Sequence, residues 1–308
     1  MIPEEGLRPR VFARSFQLMN LGLGAGAMIA GAIVHVSDPR SFTLIYIIDG
    51  VTYLVLVVTL LTLPANAFAR AAHTERRNET DKPAGGFREV FADRQFRRYL
   101  VASSILAFAG YSAVDAGFVG YANHVIHAGP YVIAWAFGLN TGLIVLLQPI
   151  GLRVAARLRR TTSLMICATF FGASWAVLVA GGVFPRSDLG DLLVVVMFGV
   201  FSLGEVLLSP VGFPLVTMMA RPDLQGRYNA TATSVYTTMG VIGPSVAGVM
   251  LGAGLGRPYL ALLTASAGVA VVAFWRLRHV LSPEIDNAAP STSYADEAFG
   301  TALESSGP

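Results

Sequence analysis

Three acidic side chains lie within long apolar stretches of the sequence: Asp49, Asp115 and Glu205. An ionisable group inside a bilayer costs about 2.5–3.5 kcal/mol on insertion scales, so such a residue marks a functional site by default. Burial in apolar surroundings disfavours the charged form of a carboxyl group. A carboxyl group that exchanges its proton near neutral pH can carry protons. These three residues are therefore the first candidates for proton chemistry.

Glu205 is the strongest of the three because it lies near the middle of its apolar stretch. Ser202 and Ser209 fall on the same helical face, three and four residues away. Pro210 and Pro214 follow, and each interrupts the backbone hydrogen bonds of a helix. The pattern indicates a polar site in a helix that can flex. The alternative is a neutral carboxyl group that bonds a neighbouring helix for packing alone.

The other polar residues of the apolar stretches have two possible roles. Asp115 lies toward the outer end of its stretch, one turn from Tyr111, where it could meet a cationic substrate or a proton, or be solvated in an outer vestibule. Asp49 could equally be an acid that packs helices together. Four further polar residues either line a cavity or join helices by hydrogen bonds, namely Gln17, Asn20, Thr141 and Gln148.

The composition predicts a membrane protein. Of the 308 residues, 54% are hydrophobic and 13% charged, whereas a soluble domain has about 25% charged residues. The mean hydropathy of +0.59 agrees. One cysteine, Cys167, excludes a disulfide framework and a cysteine-based zinc site. A net charge of +3 does not indicate nucleic-acid binding, and common enzyme motifs are absent. We expect no cofactor, no metal and no enzyme activity.

Eight apolar stretches are long enough to cross a bilayer as helices. A hydrocarbon core about 30 Å thick requires roughly 20 apolar residues of α-helix. The stretches exceed the length of barrel strands and lack their alternation of polar and apolar residues. The sequence predicts an all-α integral membrane protein with transmembrane helices at residues 15–36, 41–63, 98–121, 129–152, 161–183, 191–219, 228–253 and 257–279.

The segments between the predicted helices divide and orient the chain. All but three of the 22 Lys and Arg residues fall on one side if the N-terminus is cytoplasmic, and positively charged loops face the cytoplasm. We therefore expect a multi-pass protein of the cell (inner) membrane with both termini in the cytoplasm. Residues 64–97 are predicted to form a charged cytoplasmic linker with a short amphipathic helix near Phe87. Residues 281–308 are predicted to form a disordered cytoplasmic tail.

The first and seventh predicted helices repeat a pattern at an offset of 217 residues, and each precedes one further helix. The matched pairs are Arg10 with Arg227, Gly26 with Gly243, Ala30 with Ala247, and Gly31 with Gly248. Nothing on the N-terminal side matches the four helices that precede the seventh. The repeat indicates two six-helix halves, the first without four of its helices. The alternative is the general enrichment of small residues in membrane helices.

The order of these features resembles the major facilitator superfamily up to about residue 280. One stretch is similar to the glycine–proline motif of the family's helix eleven; it contains Gly240, Gly243, Pro244 and Gly248. Its counterpart in helix five contains Gly26 and Gly31 but has Ala27 where drug antiporters usually have proline. The segment from Gly204 to Pro210 resembles helix ten of multidrug-type and related members.

A basic loop between the fourth and fifth predicted helices also carries the resemblance. It is similar to a degenerate copy of the family's G-x-x-x-D-R-x-G-R-R signature, without the aspartate and the inner glycine, and its basic residues are Arg153, Arg157, Arg159 and Arg160. The resemblance implies that the eight helices correspond to helices 5–12 of a twelve-helix, two-half transporter fold. Residues 1–63 would then be a remnant of the N-terminal half, and residues 98–280 the C-terminal six-helix half.

The resemblance implies a secondary transporter, with proton-coupled efflux of small amphipathic molecules as the leading hypothesis. Its partners would be the lipid bilayer, a small-molecule substrate and protons, with no nucleic acid. The alternative is a truncated, non-transporting remnant or a partner subunit of a transporter, because half of the cavity wall would be missing. A start codon placed too far downstream would give the same sequence. A membrane enzyme is the least favoured hypothesis.

Overall fold

The described part of the chain is built from helices. A computed structural model describes residues 18–19, 21–22, 25–26, 28–34, 38–62, 86–221 and 223–287. Residues 28–33 are helical. Within the described residues the further helices of four or more residues with α geometry are α1 (Pro39–Thr62), α2 (Phe87–Ala92), α3 (Arg94–Ala109), α4 (Pro130–Ala155), α5 (Arg160–Gly181), α6 (Asp188–Leu208), α7 (Gly212–Met219), α8 (Gln225–Gly252), α9 (Gly256–Arg278) and α10 (Pro283–Asp286). Two short α-helical and two π-helical pieces follow α3 and end at Ile126.

Six helical spans in the described residues are long and apolar enough to cross a membrane. They are α1, α4, α5, the pair α6–α7 taken together, α8 and α9. A bent pair that starts with α3 and continues to Ile126, with an angle of 51°, is a seventh candidate. The predicted all-helical membrane fold is therefore present. The count of eight spans stays a prediction, because most of the predicted first span, residues 15–36, lies outside the described residues.

The span predicted at 191–219 is interrupted between α6 and α7. Pro210 lies in the break, and because it has no N–H, the carbonyl of Val206 loses its normal helical partner. The chain resumes helical geometry at Gly212, whose carbonyl accepts a hydrogen bond of 3.1 Å from the Tyr99 hydroxyl. Pro214 falls in the first turn of α7, where a proline is tolerated. The predicted helix is thus one span, Asp188–Met219, with a local break in its backbone hydrogen bonds.

The interior is organised around α5, which packs along its length against α6 and α9, while α4 packs against α6. The Phe171 ring stacks on Phe201 with 4.2 Å between ring centroids. Gly204 permits this approach, because a Cβ at Gly204 would lie 2.8 Å from the Phe171 ring. The indole N–H of Trp175 donates to the carbonyl of Ala109 at 2.6 Å. Aromatic packing therefore joins α5 to α6, and a hydrogen bond joins α5 to α3.

Most of the described basic residues meet at one end of the helix bundle. Contacts between helix ends define that end: Gln95 with the Val280 carbonyl at 3.1 Å, Tyr228 with Asp93 at 3.0 Å, and Arg221 with Glu89 at 3.3 Å. The opposite end contains Arg186, whose N–H donates to the Ile126 carbonyl at 2.9 Å. The unequal distribution of charge between the two ends agrees with the alternation of basic and non-basic loops in the sequence.

The beginning of the predicted disordered tail is ordered. Residues 283–286 form α10, and Asp286 is 1% exposed. Its carboxylate accepts hydrogen bonds of 2.9 Å from both the backbone N–H and the hydroxyl of Thr161. Such a cap satisfies N–H groups that the first turn of α5 leaves unpaired. The prediction of disorder is therefore wrong for 281–287, and residues 288–308 lie outside the described residues.

The N-terminal spans make limited contact with the rest of the described chain. In α1 only Ser41 is buried. A Cβ at Gly31 would lie 2.2 Å from the Ala134 Cβ, and the Met28 side chain contacts Gly138, so the first predicted span reaches α4. The division into 1–63, 64–97, 98–280 and 281–308 otherwise stays a prediction. The short helix expected near Phe87 is present as α2.

Candidate functional site

Glu205 is buried in the contact between α4 and α6. The residue is only 3% exposed. The Asn140 amide, from α4, donates one hydrogen bond to the Glu205 carboxylate and another, of 3.0 Å, to the Ser202 hydroxyl. The Ser202 hydroxyl in turn donates to the Phe198 carbonyl at 2.7 Å. The acid that the sequence favoured is therefore the centre of a polar cluster in an apolar interior.

Aromatic rings surround this cluster on the α5 side. Phe198 and Phe201 lie on α6 beside Ser202 and Glu205, with 5.9 Å between their ring centroids. Phe171 stacks against Phe201 from α5. The phenylalanine rings offer no hydrogen-bond donor that could replace water, so a negative charge on the carboxyl group would be expensive there unless it were paired. Within the described residues no salt bridge reaches Glu205.

An open pocket lies close to Glu205, and Tyr111 belongs both to the pocket wall and to the surroundings of the acid. Tyr111 lies beside the Glu205 carboxyl group, with its hydroxyl close enough to interact with that group. The same tyrosine lines a pocket of about 180 Å³ together with Ala107, Ser112, Tyr236 and Gly240. Tyr111 is 37% exposed, so it connects the buried acid to open space.

A second polar pair lies further along the same α4–α6 contact. The Gln148 amide donates a hydrogen bond of 2.8 Å to the Ser209 hydroxyl. Both residues were singled out from the sequence, and the structure brings them together across two helices. Thr141 is buried beside Asn140 on α4. The predicted polar residues of α4 are therefore buried, and Gln148 lies in the same helix contact as Glu205.

The remaining candidates do not join this cluster in the described residues. Asp49 is exposed on α1. Asp115 lies in the π-helical piece Val114–Phe118, and its side chain is outside the described part of the structure. Gln17 and Asn20 also fall outside the described residues. Of the three acids singled out from the sequence, Glu205 is the one that the described part of the structure buries.

The glycines of the predicted motif differ in what they contact. A Cβ at Gly243 would lie 2.5 Å from the Ser112 hydroxyl, so α8 packs closely against the segment after α3. Gly31 makes a similarly close approach to α4. The positions of Gly26, Gly240 and Gly248 are open within the described residues. Pro244 lies inside α8, one residue after the close contact.

The basic residues of the predicted signature loop lie at the end of α4 and the beginning of α5. Arg153, Arg157 and Arg159 are exposed. Arg160 is half-buried, and its guanidinium donates to the carbonyl of Ile285 at 2.7 Å and to that of Asn287. One arginine of the loop therefore holds the ordered beginning of the tail, while the other three remain on the surface.

Sequence reasoning missed two residues of the site. Asn140 was not chosen, although it is an amide in the middle of an apolar span, the same signal that identified Gln148. Tyr236 lies in a run of Thr, Ser and Val on α8, and nothing in its sequence neighbours distinguishes it from an ordinary aromatic residue of a membrane helix. Only the packing of α8 against Tyr111 and Ser112 reveals that Tyr236 lines the pocket.

Comparisons with known proteins give one family and one set of solved structures. The model of the family described as MFS/sugar transport protein matches residues 4–272. The peptide transporter POT in complex with sulfate aligns at 18% identity over 82% of this chain and 55% of that chain, with a TM-score of 0.49. A mutant of POT bound to alafosfalin aligns at 19% identity over 81% and 54%, with a TM-score of 0.48. The chain thus spans about half the length of these structures. A comparison with curated proteins gave no match.

Proposed function

The chain belongs to the MFS/sugar transport protein family of the major facilitator superfamily, since the family model covers residues 4–272, and on that premise we propose that it moves a small molecule across a membrane by secondary transport. It is a multi-pass membrane protein of a transporter family rather than an enzyme. The observation that carries the proposal is the buried carboxyl group of Glu205 beside an open pocket.

Protons are the proposed coupling ion, and Glu205 is the proposed carrier. The carboxyl group has the Asn140 amide and the Tyr111 hydroxyl for neighbours but no basic partner in the described residues. A proton is the simplest species that neutralises a buried carboxyl group of this kind. When the pocket opens to water on one side of the membrane, the carboxyl group can exchange its proton with that side. Alternating exposure would then couple protonation to transport.

The pocket favours a small amphipathic substrate. Tyr111 and Tyr236 offer apolar ring faces, and their hydroxyls together with that of Ser112 offer hydrogen bonds. Aromatic rings that combine an apolar body with a polar group suit ligands that are apolar on one face and polar on another. A sugar ring has that character, in agreement with the name of the family. The outward direction of transport rests on the resemblance of the Gly204–Pro210 segment to multidrug-type members.

We place the basic end of the bundle in the cytoplasm and the protein in the cell (inner) membrane. This orientation follows from the rule that positively charged loops remain on the cytoplasmic side. The ends of α4 and α9 and the beginnings of α3, α5 and α8 carry basic residues and lie at one end of the bundle. Both termini would then be cytoplasmic.

Proton flux in proteoliposomes tests the proposal. The reconstituted protein, with a pH-sensitive dye inside the vesicles, is exposed to sugars and to amphipathic amines in turn. We expect at least one compound to evoke proton movement in the wild type and none to do so in Glu205→Gln. Asp49→Asn is the matched control, because it also removes a carboxyl group from a span, but an exposed one. Equal proton flux in wild type and Glu205→Gln would contradict the proposal.

A further inference from the structure

Two oxygen atoms that lack a hydrogen-bond donor in the described residues lie in the contact of α4 with the break between α6 and α7. Gln148 is 2% exposed, and within the described residues its Oε1 accepts no hydrogen bond. Its Nε2 donates to the Ser209 hydroxyl at 2.8 Å. A buried amide oxygen without a donor normally has a bound water as its partner. The Gln148 side chain thus points to an occupied polar site in this contact.

The second oxygen is the carbonyl of Val206. Its partner in an uninterrupted helix would be the N–H of residue 210, which is a proline and has none. Gly151 lets α4 come close to this carbonyl, because a Cβ at Gly151 would lie 2.7 Å from the Val206 oxygen. Gly151 lies one turn after Gln148 on α4. The freed carbonyl and the unpaired amide oxygen therefore belong to one helix contact.

One water molecule matches the hydrogen-bonding groups of this site. The water can donate one hydrogen bond to Gln148 Oε1 and another to the Val206 carbonyl. It can also accept a hydrogen bond from the Ser209 hydroxyl, which itself accepts one from the Gln148 amide. Bound waters typically make about three such bonds to buried polar groups. An anion would find two acceptors and is excluded.

The site continues the Glu205 cluster in the direction of the basic end of the bundle. Glu205 is adjacent in sequence to Val206 and one helical turn before Ser209, and Gln148 is two turns after Asn140 on α4. The pocket at Tyr111 is lined by other parts of the chain, namely α3, the segment that follows it, and α8. The carboxyl group therefore has two different polar neighbourhoods, one open and one buried.

We propose that water held by Gln148, Val206 and Ser209 is the first station of a proton path from Glu205 toward the basic end of the bundle, separate from the substrate pocket. This inference rests on the proposed role of Glu205. The proton leaves the carboxyl group, which becomes a carboxylate, and hydrogen-bonded water carries it away, so no further reactant is required. Among the described residues, the titratable groups that face Glu205 are the Tyr111 phenol and the Cys167 thiol, and neither lies on the path.

Time-resolved infrared spectroscopy after a pH jump tests the path without a substrate. The carbonyl band of protonated Glu205 in the reconstituted protein is assigned by its loss in Glu205→Gln. Gln148→Met and Ser209→Ala should slow its deprotonation at least tenfold, since a positioned proton-transfer group contributes about 10²-fold or more. Ser209→Thr keeps the hydroxyl and should keep the wild-type rate. Ser174→Ala is the matched control, because it removes a buried hydroxyl, bonded at 2.7 Å to the Phe171 carbonyl, outside the path.

Each result has a definite meaning. Wild-type rates in Gln148→Met and Ser209→Ala would overturn the path and leave Glu205 as the coupling residue. If Ser174→Ala slowed the deprotonation of Glu205 equally, the effect would come from weakened helix packing in general, and this result would also overturn the path. A spectrum without a titrating Glu205 band at any pH would overturn both the path and the proposed function. Slow deprotonation in the two variants, with rescue in Ser209→Thr, supports the path.

Discussion

Replacement of Asn140 by leucine would show how strongly the hydrogen bonds around Glu205 hold α4 to α6. The Asn140 amide donates to both Glu205 and Ser202, and both bonds cross the helix contact. Interhelical hydrogen bonds in membranes contribute about 0.6 kcal/mol each on average, so two account for about 1.2 kcal/mol. The carboxyl group left without its amide donor adds about 1–3 kcal/mol. We expect Asn140→Leu to lower the free energy of unfolding by about 2–4 kcal/mol.

A double-mutant cycle separates this interaction from simple loss of packing. Glu205→Leu alone leaves the Asn140 amide without its acceptor, whereas the combination of Glu205→Leu and Asn140→Leu leaves neither polar group unpaired. Replacement of both partners by apolar groups of similar shape is much less costly than removal of one. The coupling energy between the two positions should therefore be about 1–2 kcal/mol. Glu205→Gln keeps an acceptor for the amide and should stay within about 0.5 kcal/mol of the wild type.

Equilibrium unfolding in detergent micelles provides the four free energies of the cycle. Trp175 is fully buried beside the cluster and reports the transition by its fluorescence. Additive losses in the double variant, with a coupling energy near zero, would refute the reasoning, because they would mean that Asn140 and Glu205 act independently. A wild-type stability for Asn140→Leu would refute it as well.

Three further predictions concern other parts of the chain. Asp286→Ala should lower the free energy of unfolding by about 2 kcal/mol, because a helix cap and a buried charged acceptor are lost; denaturant titration measures it, and unchanged stability would contradict it. Gly243→Ala should lower Tm and transport, since a Cβ there would lie 2.5 Å from a serine hydroxyl of the facing segment, whereas Gly248→Ala, at an open position, should change neither. In a cysteine-free chain, cysteines in place of Arg157 and Arg186 should react with an impermeant thiol reagent from opposite sides of the membrane, and reaction from one side would contradict the orientation.

Hydrophobic length and single polar residues were enough to predict the helical architecture and the central acid. The six spans formed by α1, α4, α5, α6–α7, α8 and α9 were predicted because the length of an apolar run directly reflects the thickness of a bilayer. Glu205 was identified because an acid within such a run is costly. Pro210 indicated a weakened backbone, and the structure has a break there. Each of these inferences depends on local sequence alone.

Features that depend on the register between helices could not be predicted. Asn140 and Thr141 are adjacent polar residues, and only the packing of α4 on α6 decides that Asn140 bonds Glu205. The same register brings Gln148 to Ser209. The ordered start of the tail was missed for a different reason. Its composition is poor in apolar residues, but a single carboxylate, that of Asp286, caps a helix 125 positions earlier.

Comparison of net transport with exchange in one preparation tests the central claim, that Glu205 couples transport to protons, most directly. Net proton-driven transport requires Glu205 to lose its proton in each cycle, whereas exchange of labelled for unlabelled substrate across the same vesicles does not. We expect Glu205→Gln to lower net transport by about 10²-fold or more while exchange and substrate affinity remain at the wild-type level. Net transport at the wild-type rate, or an equal loss of net transport and exchange, would contradict the claim.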